Sequence, residues 1–163
     1  MFTSSSRAII YGRHLDVAQR MLDFDFLSGR TSSVAGIIDP NSHRSSVTKL
    51  FFGDTEILVP IYPDFDTISA DSSIDTFINL ASFRSATEAT WSAMKSGLFQ
   101  NIVIIAEGIP EREIREIIAY NDANSQIRII GPATAGAIVG GALRMGNSGG
   151  SLENIVASGL YQK

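Results

Sequence analysis

The 163-residue sequence contains no cysteine. That excludes disulfides, thiolate nucleophiles and cysteine-ligated zinc, and it fits a reducing compartment. Histidine is nearly as scarce: His14 and His43 are the only two, and they are not clustered. No metal centre is therefore expected, and no Ser–His–Asp arrangement is legible. Basic runs are missing too, and the formal net charge is −4, which argues against a nucleic-acid surface. No apolar stretch approaches the length of a membrane span. The start, Met1 to Arg7, lacks the apolar segment that directs secretion. These absences predict a cytoplasmic chain without nucleic-acid or membrane partners. An anionic ligand would depend on local backbone donors and a few Arg and Lys side chains, because the overall charge does not attract it.

What is present is a globular composition, with 44% hydrophobic and 18% charged residues. The length suits a single domain spanning residues 1–163, with enough chain to bury a core. Short apolar runs alternate with helical patterns. Ala8 to Tyr11 reads as a buried strand ended by Gly12. Leu15, Ala18, Met21 and Leu22 then recur at helical spacing through about Phe26. Val34 to Ile38 is a second strand, closed by Asp39-Pro40, and Asn41 to Val47 reads as a polar loop. Leu50 to Phe52 and Ile57 to Val59 read as extended segments of a hairpin around a turn at Gly53-Asp54. Asp64 or Asp66 is placed to cap a short helix over Thr67 to Ala70. Thr76 to Leu80 is a further strand, followed by a helix from Ser85 to Ser96 that Gly97 ends.

The most informative stretch follows. Ile102 to Ala106 is an apolar run that reads as a buried central strand. Glu107, Gly108, Ile109 and Pro110 lead from it into a helix from Glu111 to about Ala123. In that helix Ile114, Ile117 and Ile118 are expected to face the sheet, and Glu113, Arg115 and Glu116 water. Ile127 to Ile130 is the last buried strand. In a Gly-, Ala- and Ser-rich tail a short strand is expected at Ala142 to Met145 and a helix capped by Ser151. Strands alternating with helices predict an α/β fold: Rossmann-like, with a mostly parallel doubly wound sheet and helices on both faces. In such folds ligands bind at the carboxyl ends of the strands, which is where Glu107 sits.

Three motifs carry a family resemblance. Ala106-Glu107-Gly108-Ile109-Pro110 and Ile130-Gly131-Pro132-Ala133-Thr134 resemble the CoA-binding domain of the succinyl-CoA synthetase superfamily. Gly146-Asn147-Ser148-Gly149-Gly150, followed by Leu152 to Ile155, narrows the resemblance to the ATP-citrate lyase family. It runs from about Arg7 to Lys163. It implies coenzyme A as ligand, with ATP and Mg used by other domains of the parent enzyme. It also implies neighbouring domains or subunits as partners and a parent that is a homo-oligomer. The parent reaction converts citrate, CoA and ATP to acetyl-CoA and oxaloacetate through a phosphohistidine, citryl phosphate and citryl-CoA. The phosphohistidine belongs to the following domain of the family, so this chain alone is expected to be inactive.

The resemblance also suggests site residues. The first loop, Gly12, Arg13, His14, Leu15, Asp16 and Val17, would cradle the CoA pyrophosphate with backbone N–H groups; its plain reading is an ordinary turn. Pro40 to His43 matches a segment near the adenosine half, with Ser42 as a contact. Ser82, Arg84 and Ser85 would bind phosphate or ribose, against the reading that Ser85 caps a helix and Arg84 points to water. Ile105 and Ala106 offer backbone to the pantetheine arm. Glu107 would stand beside the phosphohistidine, or else be a strand-end acid bonded to nearby backbone. Asn147 and Ser148 are further candidates. Two alternatives stay open. One is an NAD(H)-binding redox or regulatory module, for which Asp39 would be the ribose ligand, although His14 and Val17 stand where a dinucleotide loop wants glycine. The other is a stand-alone CoA-responsive interaction domain.

Overall fold

The computed structural model describes residues 2–68 and 73–162. Nine strands and four helices are assigned within them. In chain order these are β1 (Arg7–Tyr11), α1 (Leu15–Leu27), β2 (Val34–Ile38), β3 (Ser46–Phe52), β4 (Thr55–Tyr62) and β5 (Ile74–Asn79). Then come α2 (Phe83–Ser96), β6 (Asn101–Ile104), α3 (Glu111–Asn124), β7 (Arg128–Ile130), β8 (Gly136–Val139), β9 (Leu143–Gly146) and α4 (Leu152–Ser158). Seven strands form one sheet in the order β3-β4-β2-β1-β5-β6-β7. All neighbours are parallel except the β3–β4 hairpin. The sheet is thus the expected mostly parallel α/β type. The strand order reverses direction at β1, with β2 on one side and β5 on the other.

Side-chain alternation along the strands builds two cores. On one face Ala8, Ile10, Ile78 and Val103 meet Val17, Ala18, Met21 and Leu22 of α1. On the other, Ile9, Phe77, Ile102 and Ile104 meet Ala89, Ala93 and Met94 of α2 and Ile117 of α3. Each large apolar side chain so buried stabilises the fold by roughly 1.5–3 kcal/mol. The β8–β9 hairpin, a small second sheet, adds Leu143 and Met145 to the α1 side.

Several expectations need correction. The strand carrying Ile102 is β6, one from the edge, and the central strand is β1. It reads as central because β5 and β7 flank it, α2 and α3 cover Ile102 and Ile104 on one face, and the core with Leu143 and Met145 covers Val103 on the other. The segment from Asn41 to Val47 is not all loop: β3 begins at Ser46, its polar residues being those of a half-exposed edge strand. The expected helix over Thr67 to Ala70 lies partly outside the described residues. Asp64 accepts from the Thr67 N–H at 3.0 Å, but residues 66–68 form a turn and a bend. Helix α2 starts two residues early, so Ser82 and not Ser85 is its N-terminal flanking residue. On α3, Ile118 is 48% exposed, while Glu113 accepts a hydrogen bond from the Thr87 hydroxyl of α2 instead of facing water. The buried stripe runs through Ile114 and Ile117, and position 118 falls outside it.

Candidate functional site at the carboxyl edge of the sheet

The parallel register lines up Tyr11 with Ile38 and Asn79, and Asn79 with Ile104. The loops that leave these strands therefore emerge along one edge. Backbone bonds fasten them to one another: Gly12 N–H to Ile38 O (2.8 Å), Leu80 N–H to Tyr11 O (3.2 Å), Ile105 N–H to Asn79 O (3.1 Å) and Ala133 N–H to Ala106 O (2.9 Å). Gly12, Ser82, Ile105, Ala106 and Glu107 are thus carried on adjacent loops around the point where strand order reverses.

The first loop leaves β1 through Gly12, which has φ +96°. A Cβ there would lie 2.8 Å from the His14 ring, so the position favours glycine on two counts. His14 flanks α1 without a side-chain cap. The N–H groups of Leu15, Asp16 and Val17 are left without intrahelical acceptors at the positive end of the dipole. The Val17 side chain is buried in the core, and Leu15 packs against it. Only their backbone faces the edge. Asp16 lies 3.6 Å from Arg20 one turn on, and Arg13 lies 3.8 Å from Asp39.

Helix α2 starts in the same way. Ser82 is extended and makes no cap bond to the first turn; its hydroxyl is 3.4 Å from that of Ser85. What fixes the turn is Asn79, fully buried at the end of β5. Its amide donates to Ala86 O (2.8 Å) and the Thr90 hydroxyl (3.0 Å), and its oxygen accepts from Ala81 N–H (3.0 Å). Asn79 is a positioning residue that sequence reasoning did not single out. A lone amide ending a buried strand was the available signal. Arg84 is exposed, its guanidinium 5.5 Å from the Phe83 ring centroid.

Between α2 and the loops after β2 and β4 lies a cavity of about 560 Å³, lined by Tyr11, Pro40, Asn41, Phe65, Ser85 and Glu88, among others. Tyr11 and Phe65 stack with ring centroids 6.1 Å apart. Burial raises the Tyr11 pKa, and the Glu88 carboxylate raises it further. Of the expected contacts Ser85 lines this cavity, as do Pro40 and Asn41 of the segment expected near the adenosine half, but Ser42 does not. Arg84 faces the neighbouring groove between α2 and α3, with Trp91 and Tyr120. Ser42 bonds within its own turn, its hydroxyl donating to Arg44 O at 2.8 Å. Tyr11 and Phe65 were not among the expected contacts, yet strand alternation already put Tyr11 on the α2 face.

Glu107 is exposed, and no hydrogen bond or ion pair engages its carboxylate among the described residues. The plain reading, a strand-end acid satisfied by backbone, is not what the structure has. Asp39 is different. It is buried, accepts from Asn41 N–H at 3.0 Å and faces Arg13. It is a turn residue with its acceptors engaged, and the NAD reading loses its main support. Among the described residues no group of three or more His, Asp or Glu side chains could hold a metal ion, and no helix is long and apolar enough to cross a membrane.

No family model matches the chain. Curated relatives do. The chain is 44% identical over 164 residues to an ATP-citrate synthase beta chain of Oryza sativa subsp. japonica, covering 99% of this chain and 26% of that protein. It is 39% identical to the ATP-citrate synthase of Bos taurus, covering 99% of this chain and 15% of that protein. Among solved structures, the ATP citrate lyase of Methanothrix soehngenii in complex with citrate and coenzyme A superposes with a TM-score of 0.92. That match has 39% identity and covers 99% of this chain and 26% of that one. The chain spans about a quarter or less of the length of these proteins.

Proposed function

Because this chain belongs to the ATP-citrate lyase family along its whole length, we propose that it is the segment that binds coenzyme A and presents Glu107 to a reacting histidine. One observation carries the reading. The two helices that flank the reversal of strand order, α1 and α2, both begin without a side-chain cap. The N–H groups of Leu15, Asp16 and Val17 of α1 and of Phe83 and Arg84 of α2 are thus free for phosphate oxygens at one edge, while Ser85 N–H donates to Ser82 O at 3.0 Å.

The remaining groups fit the rest of the ligand. The cavity with its stacked Tyr11–Phe65 floor has the size and the aromatic surface for a nucleoside. Ser85 reaches it from α2. Arg13 and Arg84 stand at the two helix starts as cations for phosphate, Arg84 steadied over Phe83. Ile105 and Ala106 lead the thiol-bearing arm toward Glu107. An exposed carboxylate with no protein partner is free to accept from an imidazole N–H, fixing its tautomer and stabilising the protonated form. The histidine, the ATP and Mg site and the citrate-cleaving machinery would lie in other domains or subunits of a homo-oligomeric cytoplasmic enzyme. This chain by itself would bind CoA and not turn over.

Calorimetric titration with CoA, dephospho-CoA and NADH tests the assignment. CoA binding that Arg84→Ala weakens is the expected result. Binding of NADH with no response to CoA would refute it.

A further inference from the structure

Arg144 is the largest side chain that the fold buries completely, at 1% exposure. It sits on β9 between Leu143 and Met145, which fill the α1-side core. Its Nη2 donates to Gly150 O at 2.9 Å, and its Nε–H has no acceptor. Among the described residues no carboxylate lies within ion-pair distance of it. Asp23 of α1 faces it from farther off and already accepts from Gln19 at 2.8 Å. A second cation acts on it from α1: Arg20, exposed, donates Nη1 to Asn147 Oδ1 at 2.7 Å, with Asp16 3.6 Å away on its other side. Burial and then Arg20 push the Arg144 pKa down. Two guanidinium groups thus meet at the loop 146–150, one beneath it and one at its rim. In that loop the Ser148, Gly149 and Gly150 N–H groups donate to no protein acceptor.

A buried cation with an orphaned donor and no counter-ion is costly, and removal of water makes the missing partner worth more. An oxyanion at this point would give Arg144 a counter-charge, its Nε–H an acceptor and the loop N–H groups a common ligand. Arg20 marks the solvent side from which it would enter. The loop also lies at the functional edge. Asn147 N–H bonds to Ala135 O at 2.9 Å, and a Cβ at Gly146 would lie 3.0 Å from Ile105 Cδ1. We propose that Arg20, Arg144 and the backbone of residues 148–150 form an oxyanion site for a carboxylate or phosphoryl group of a small anion. It lies on the α1 side of the edge, apart from the α2-side cavity, and it stands whether or not CoA fills that cavity.

The test follows the arginine Nε–Hε resonances of the 163-residue chain by NMR. Citrate and inorganic phosphate are titrated separately against sodium chloride at equal ionic strength. A saturable shift of the Arg144 resonance is expected, with citrate preference identifying a carboxylate site and phosphate preference a phosphoryl site. Arg20→Gln, at an exposed position, should weaken that response roughly tenfold and leave CoA affinity unchanged. Arg144→Lys, with folding checked by circular dichroism, keeps the charge, lacks the Nε–H and should also weaken binding, read from the loop amides. No saturable shift beyond the chloride control overturns the proposal. So does an undiminished response in Arg20→Gln.

Discussion

Asp25 should make this protein less stable as the pH rises. It lies in the last turn of α1, fully buried. One carboxylate oxygen accepts from Ser33 N–H at 2.6 Å; the other has no hydrogen-bond partner and lies 3.5 Å from Arg30 Nε. Arg30 in turn donates to Ser6 O at 2.6 Å, so the cluster fastens the end of α1 to the start of β1 and the approach to β2. Burial outweighs the Ser33 bonds and the Arg30 charge, and the Asp25 pKa rises from 3.8 to about 6. The folded state therefore binds the proton more tightly than the unfolded one. That contribution to stability is complete below pH 3.8 and is lost as pH rises through about 6. At 1.36 kcal/mol per pH unit it amounts to about 3 kcal/mol. Urea unfolding of the protein and of Asp25→Asn between pH 4 and 8 isolates it, since other groups titrate alike in both. Because pH 4 already lies just above the unfolded value, the stability of the parent relative to the variant should fall by about 2.5 kcal/mol from pH 4 to pH 8. A gap that is constant or grows with pH would refute the reasoning, because Arg30 would then hold the carboxylate ionised in the folded state.

Two further outcomes follow from burial and exposure. Phe77→Ala removes a fully buried ring whose centroid lies 5.3–5.9 Å from those of Tyr11, Phe65 and Phe99. It should cost about 3–5 kcal/mol in denaturant unfolding and weaken nucleotide binding by loosening the cavity floor. Glu107→Gln should leave stability within about 0.5 kcal/mol, because the carboxylate is exposed and bonded to nothing. The same change in a full-length enzyme of this family should abolish citrate cleavage, and undiminished turnover there would remove Glu107 from the mechanism.

Much of this architecture can be read from residue patterns. Ala8 to Tyr11 and Val34 to Ile38 are apolar without interruption because both sheet faces are covered, and periodicity marks α1 clearly. The edge hairpin is harder. Its arms are legible in Leu50 to Phe52 and Ile57 to Val59, which the structure pairs around Gly53-Asp54, but the start of β3 is not, because Ser46 is polar and exposed and looks like loop. Helix α3 misleads in the opposite way, since Ile118 is apolar yet points to water. The site is legible only in outline. Loop positions follow from strand ends, but orientation does not. Nothing in the sequence tells that Ser85 turns to one side of α2 and Arg84 to the other, or that Ser42 spends its hydroxyl on its own turn. Phe65 reaches the cavity from the loop after β4, a long-range placement that local pattern does not encode. Arg144 is the sharpest case: flanked by Leu143 and Met145, it reads as the solvent-facing residue of a short strand, and only the packing of α1 and the glycine loop buries it.

In the proposed function, the free N–H groups of Leu15 to Val17 at the start of α1 and of Phe83 and Arg84 at the start of α2 hold the phosphates of coenzyme A. Backbone amide NMR of the 163-residue chain titrated with CoA tests it directly. The amides of Leu15 to Val17 and of Phe83 and Arg84, which have no protein acceptor, should shift together and saturate with one affinity, while those on the outer face of α3 stay fixed. Saturable shifts confined to α3, or binding that leaves both helix starts unmoved, would contradict it.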